Sequence, residues 1–334
     1  MTRLVVTADD LGLHRGMTDA AIRGHERGVV TACSISACGL DVEHAADSVR
    51  RLPSLDVGIH FTLVEERPVL PAAKVKSLVS RDGRLVPGHR ELVMRYAAGR
   101  LDLDEVEEEL RAQAARLRDL GVTLLHANGH QHLHVLPGVF ERLLRVASEL
   151  GIRYVRIPDD RAERAWGFRS LSVAALAILA RRAAPIARRR GFVTNDVTIG
   201  IRDAGHLDVA TIAKLLDRAS GLTELVTHPG IGEGLASRYD WRYDWQAEAD
   251  ALCDPRLRDE CERRGIEIVQ IRDVVTASEE RKADLWGRRD ASSNVPRRGR
   301  VHLSRALSRG AEPSARSRHA ATALRSRSFM NDPG

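Results

Sequence analysis

The chain opens on Arg3-Leu4-Val5-Val6-Thr7-Ala8-Asp9-Asp10-Leu11-Gly12, an apolar run that ends on two adjacent carboxylates. The run is short, continuous and rich in Val, which predicts a strand covered on both faces, as in a parallel sheet. Two carboxylates side by side at the mouth of such a strand repel each other, and a nearby cation relieves that repulsion. A divalent metal would take one Asp as ligand and leave the other to accept a proton from water. The pair would serve equally well as a helix cap, so its meaning depends on what stands at the ends of the other strands.

The same layout recurs along the chain. Val57-Gly58-Ile59 runs into His60, and Thr123-Leu124-Leu125 leads into His126-Ala127-Asn128-Gly129-His130-Gln131-His132-Leu133-His134. Tyr154-Val155 meets Arg156, and Leu225-Val226-Thr227 reaches His228-Pro229-Gly230. Carboxylates and imidazoles at the ends of several strands would share one rim of a parallel β-structure, where α/β folds gather their chemistry.

Seven strand-like runs (3–6, 32–37, 56–59, 123–125, 154–157, 224–227 and 266–270) alternate with stretches of helical period (16–27, 42–51, 104–120, 138–150, 171–190, 208–220 and 246–264). This alternation predicts an α/β fold, a TIM-like (β/α) barrel of about seven parallel strands that is closed or nearly closed; a doubly wound open sheet is the alternative. Two long interruptions, 61–103 and 158–206, are expected to wall a substrate cleft.

Composition narrows the class. With 334 residues and 43% hydrophobic content the chain can bury a large core. The formal charge of +6 is misleading. From Gly287 onward eleven Arg stand against Asp290, Glu312 and Asp332, about +8, which leaves about −2 for the residues before. Residues 1–286 are therefore expected to form the enzyme barrel and 287–334 a disordered Arg/Ser-rich tail, too poor in apolar residues to order itself. The tail could touch polyanions or a membrane surface, but nothing in the nearly neutral body suggests a specific nucleic-acid partner. No apolar run is long enough for a transmembrane segment, and with strand-like sequence starting almost at once a signal peptide is not expected. Cys33, Cys38, Cys253 and Cys261 lack metal-ribbon spacing and read as reduced packing residues. A cytoplasmic enzyme is the expectation, with a homodimer left open.

His130, His132 and His134 alternate. In an extended segment all three imidazoles would face one side; with a turn, only one or two would reach a shared ion. Taken singly, His60 reads as a satisfied core histidine more readily than as a ligand, and His228 is a weak signal, although the Pro229-Gly230 turn would fix its ring. Arg156 suits a pairing with Asp9, a substrate contact or a structural salt bridge. Together they form a mixed Asp/His set that suits Zn²⁺ or another first-row ion better than Mg²⁺ on ligand softness. Trp241, Tyr243 and Trp245 follow His228 closely and read either as a stacking surface for a sugar ring or as cover for the barrel end.

In order along the chain stand Thr-Ala-Asp-Asp-Leu-Gly (7–12), Gly-Val-Val-Thr-Ala-Cys-Ser (28–34), Gly-Ile-His-Phe-Thr-Leu (58–63), Asn-Gly-His-Gln-His-Leu-His (128–134), Val-Arg-Ile-Pro (155–158), Glu-Leu-Val-Thr-His-Pro-Gly (224–230) and Leu-Cys-Asp-Pro-Arg-Leu (252–257). This set resembles the YdjC-like carbohydrate deacetylases, which include chitooligosaccharide and hopanoid-associated deacetylases, over about residues 2–275. The resemblance implies a distorted barrel and metal-dependent removal of an acetyl group from an N-acetylated sugar or glycolipid. It implies Asp10, His60 and His130 as ligands of one divalent ion, Asp9 as general base and His228 as general acid. Arg156, His132 and His134 would surround them, for substrate or for support. The family implies Mg²⁺, the ligand set Zn²⁺. Where family members often carry Asp-Ser before the His-x-His, this chain has Ala127-Asn128-Gly129, so a supporting carboxylate is not expected there. Another metallohydrolase, acting on phosphoesters or amides at the same rim, is the competing class, and a binder acting through the tail is the third.

Overall fold

The computed structural model describes residues 1–160 and 168–293. Eight parallel strands carry these residues: β1 (Thr2–Leu11), β2 (Ala32–Ile35), β3 (Asp56–Phe61), β4 (His126–Gly129), β5 (Tyr154–Val155), β6 (Val197–Ile199), β7 (Leu222–Thr227) and β8 (Ile266–Ile268). Seven of them run in the order β5-β4-β3-β2-β1-β7-β6. The eighth shares an edge of β1 with β2: Arg3 pairs with Leu222 and Glu267, whereas Thr7 pairs with Val226 and Ala32. The outer strands meet through a Tyr154–Val193 bridge and a hydrogen bond from the Thr198 N–H to the Asp159 carbonyl (3.1 Å). Single contacts in place of a ladder make this a distorted TIM-like barrel.

Alternation along the strands sorts the side chains. Leu4, Val6 and Ala8 of β1 point outward and join Ile35, Ile59 and Ala127 in the main core beneath the helices. The inward residues Val5, Ala32, Tyr154 and Leu222 form a separate apolar cluster with Ile271 and Val274 of the helix Ile271–Ser293. Further along the same inward faces the side chains turn polar, with Thr7, Asp9, Ser34, His60, Asn128 and Glu224 all buried. Room inside is tight. A Cβ on Gly58 would lie 2.3 Å from the His126 ring, so only glycine lets that imidazole occupy the interior.

Several expectations are corrected. The fourth strand is His126–Gly129, not 123–125, because the ladder with β3 pairs His60 with Asn128. β6 lies inside a region expected to be irregular, and the helix His89–Ala97 lies in the other such region. The single helix expected over 246–264 is two, Trp245–Leu252 and Pro255–Arg263, because Asp254 caps the second and Pro255 occupies its first turn. Met1–Trp286 form one compact unit. The tail read as disordered falls, from 294 on, outside the described residues. Among the described residues no helix is long and apolar enough to cross a membrane.

Candidate metal centre

A regular strand would send Asp9 and Asp10 to opposite faces. Here the β1–β2 register shifts between Ala8 and Leu11, and Asp10 adopts a left-handed backbone (φ 68°). Asp tolerates that conformation better than most residues, and the resulting bulge turns both carboxylates towards one end of the barrel.

Asp10 Oδ1 lies 3.1 Å from His60 Nε2 and 2.9 Å from His130 Nδ1, and the two imidazole nitrogens are 3.3 Å apart. All three residues are buried. Ligands arranged tetrahedrally at about 2.0–2.1 Å from a zinc-sized ion stand about 3.3 Å from each other, close to the spacing found here. Asp10 Oδ2 is buried with no hydrogen-bond partner among the described residues, and His228 Nε2 stands 4.0 Å from it. One carboxylate, two imidazoles and an unsatisfied oxygen fit a divalent cation. Positive charge is favoured here: burial lowers the His130 pKa, but the charge and hydrogen bond of Asp10, helped by Glu65, raise it to about 10.

The histidines are held from behind. Asn128 Nδ2 donates to Asp9 Oδ1 (3.0 Å), which turns Asn128 Oδ1 towards His60 Nδ1 at 2.7 Å. An amide oxygen only accepts, so His60 carries its proton on Nδ1 and presents the Nε2 lone pair to the cluster. Ser34 Oγ donates to Asp9 Oδ1 at 2.7 Å and lies 3.0 Å from the same His60 nitrogen.

Asp9 itself faces Arg156, which donates from NH1 to Oδ2 and from NH2 to Oδ1. Arg156 Nε donates to Glu224 Oε1 (2.9 Å), and Glu224 also accepts from Thr7 Oγ1 (2.8 Å) and Tyr154 OH (2.9 Å). Burial would push the Asp9 carboxyl up, but the Arg156 guanidinium beside it, with His60, holds it far below the usual range. That pairing favours the ionised form of Asp9.

The remaining histidines divide. Gln131 and His132 both take left-handed backbones (φ 50° and 56°), so the His-x-His-x-His segment is a tight turn and only His130 reaches Asp10. His134 Nε2 bonds the Arg156 carbonyl (3.1 Å), and burial lowers its pKa to about 4. His132 Nδ1 has no hydrogen-bond partner among the described residues, and burial lowers its pKa as well. His228 is nearly buried, and that burial lowers its pKa. Its backbone N–H donates to Glu248, a carboxyl that burial raises to about 8.

Ser34, Asn128 and Glu224 lie within the motifs quoted above but were given no role there, and no motif contains Glu65. For the first three a signal exists, because each is a polar residue on the inward face of a strand whose outward neighbours join the core. Glu65 lies in a loop and has none. Of the aromatic residues after His228, the Trp241 ring lies 5.4 Å from that of His130 and the Tyr243 ring 5.7 Å from that of His228, with Trp245 packed against both.

Comparison with known proteins adds a lineage to this geometry. Residues 3–263 match the family model described as YdjC-like protein. A carbohydrate deacetylase of Mus musculus is 33% identical over 299 residues, which cover 81% of this chain and 94% of the mouse protein. A chitooligosaccharide deacetylase of Serratia marcescens is 34% identical over 162 residues, 48% of this chain and 61% of that protein. A crystal structure of a provisionally named cellobiose-phosphate cleavage protein from Enterococcus faecalis V583 shares the fold, with a TM-score of 0.68 at 22% identity over 82% of this chain and 99% of that one. The family match takes in every strand end that carries Asp9, Asp10, His60, His130 or His228, and with it the chain belongs to the family of YdjC-like proteins.

Proposed function

We propose that this protein is a metal-dependent carbohydrate deacetylase, hydrolysing the linear amide of an N-acetylated sugar or glycoconjugate. The observation that carries the reading is the cluster of Asp10, His60 and His130, whose donor atoms lie within 4.8 Å of one another in a chain related to named carbohydrate deacetylases. A divalent ion held by these three would polarise the acetyl carbonyl and make water more acidic. Mg²⁺ and Zn²⁺ are both consistent with the set.

The protein groups divide the remaining work. Asn128 and Asp10 orient the His60 and His130 rings. Asp9, ionised by its pairing with Arg156, takes the proton of the attacking water as the C–O bond forms. His228, at 4.0 Å from Asp10 Oδ2, starts protonated in this reading, its charge supported by Asp10 and Asp9 against the burial that lowers its pKa. It delivers that proton to the nitrogen as the C–N bond breaks, and release of the proton held by Asp9 leaves acetate and the free amine. His132, His134 and Arg156 stand around this set, with Arg156 acting through Asp9. Trp241 offers a ring face beside the centre for a sugar. A cytoplasmic location is part of the same reading.

One observation favours a second role for Asp9. Both its oxygens already accept hydrogen bonds, from Arg156, Ser34 and Asn128, and it reaches His60 from the Nδ1 side. In that reading Asp9 acts through His60, as support for a ligand.

Chelated protein resupplied with Mg²⁺ or Zn²⁺ is expected to release acetate from a panel of N-acetylated oligosaccharides and glycolipids, and no phosphate from sugar phosphates. Phosphate release without acetate would move the protein to the competing class.

A further inference from the structure

Five described non-glycine residues have left-handed backbones, and all five surround His130: Asp10 (φ 68°), Glu65 (φ 68°), Gln131 (φ 50°), His132 (φ 56°) and Arg242 (φ 59°), the last next to Trp241. Such conformations are costly for these residue types and persist where the surroundings enforce them. Four belong to the ligand strand, the His turn and the aromatic loop. Glu65 is the one whose purpose is unexplained, since no motif marks it and it sits in the loop after β3.

Its contacts supply an account. Glu65 Oε2 lies 3.2 Å from His130 Nε2, the ring nitrogen on the far edge from Asp10 and His60. Its other oxygen accepts from Gln131 Nε2 (2.6 Å), its N–H donates to the Val86 carbonyl (2.8 Å), and its carbonyl accepts from Arg84 (2.6 Å). The loop is anchored further along, where Val69 and Leu70 N–H groups donate to the buried Glu109 carboxylate at 2.8 and 3.0 Å. The left-handed turn thus aims one carboxylate at one imidazole edge from a fixed position. His60 has the matching arrangement, with Asn128 Oδ1 at its outward nitrogen.

We propose that Glu65 is a positioning residue for the cation centre: it accepts the Nε2–H of His130 and so keeps the Nδ1 lone pair turned towards Asp10 and His60. Glu65 does not join the ligand set itself, because it meets the opposite edge of the ring. The inference rests on the reading of Asp10, His60 and His130 as a metal centre, and its test separates the two.

Zn²⁺ affinity of the chelated full-length chain, measured by competition with a chromogenic chelator, is compared for wild type, Glu65→Gln, Glu65→Ala and Asp10→Ala, with melting temperatures in parallel. Wild type should bind, Asp10→Ala should not, and both Glu65 variants should bind about 10–100-fold more weakly. At saturating Zn²⁺ their kcat should largely return while KM stays near wild type. Glu65→Gln is isosteric and keeps the test available should Glu65→Ala not fold. If both Glu65 variants bind within about twofold of wild type while Asp10→Ala does not bind, the Glu65 role is overturned alone. A wild-type chain that binds no Zn²⁺ overturns the centre and the Glu65 role together.

Discussion

Asp9 and Asp10 are neighbours in sequence, equally buried, and chemically identical, yet their surroundings differ in kind. Asp9 has every oxygen occupied, by a bidentate Arg156, Ser34 and Asn128. Asp10 meets two imidazoles and keeps one oxygen with no hydrogen bond among the described residues. Natural interiors rarely leave a buried carboxylate oxygen unpaired, and the proposed metal centre accounts for the unsatisfied one. The satisfied one marks what holds the barrel interior together. A single left-handed residue, Asp10, creates this division by breaking the alternation of β1.

The largest effect on stability should come from the Asp9 side. Arg156→Met would leave Asp9 and Glu224 buried without their shared cation, a change that costs about 3–5 kcal/mol. Asp10→Ala removes a partner of two imidazoles rather than the shared cation of two carboxylates, so it should cost less stability than Arg156→Met while removing activity. Urea unfolding of the two variants measures both, and equal losses would erase the contrast.

Asp9→Asn sharpens the role of the satisfied carboxylate. As general base, its loss should lower kcat by about 10²–10⁴-fold with metal affinity unchanged. If metal affinity falls alongside kcat, Asp9 works through His60. Turnover equal to wild type would remove both roles.

A smaller effect concerns the His228 loop, which Glu248 holds by accepting its N–H. The Glu248 pKa lies near 8 in the fold, against 4.5 for the unperturbed group. The folded state therefore binds that proton more tightly than the unfolded chain. Its contribution is full below about pH 4.5 and declines as pH rises towards 8, by up to about 1.4 kcal/mol per unit. Glu248→Gln should flatten that part of the stability–pH curve; an unchanged slope would place the carboxyl's proton elsewhere.

Much of the barrel was legible because outward-facing apolar residues dominate its strands, and six of the seven expected runs overlap observed ones. The exception shows where the pattern fails. In β4 the inward side chains His126 and Asn128 are polar and only Ala127 faces the core, so the apolar run 123–125 just before it looks more strand-like. β6 is too short, at three residues, to show a period. The motifs drew attention to Asp10, His60 and His130, which the fold brings together, whereas the single-histidine outcome at 130–134 depended on two left-handed residues, which composition does not announce. Glu65 was invisible because its partner, His130, lies 65 residues away and joins it only through the fold.

The most direct test of the metal centre is to titrate the chelated full-length protein with Zn²⁺ or Mg²⁺ and follow binding by calorimetry and acetate release from an N-acetylated oligosaccharide together. A single ion bound per chain, with acetate release restored in proportion and neither signal in Asp10→Ala, is the expected result. Acetate release that survives chelation, or an Asp10→Ala variant that binds and turns over as wild type does, would contradict it.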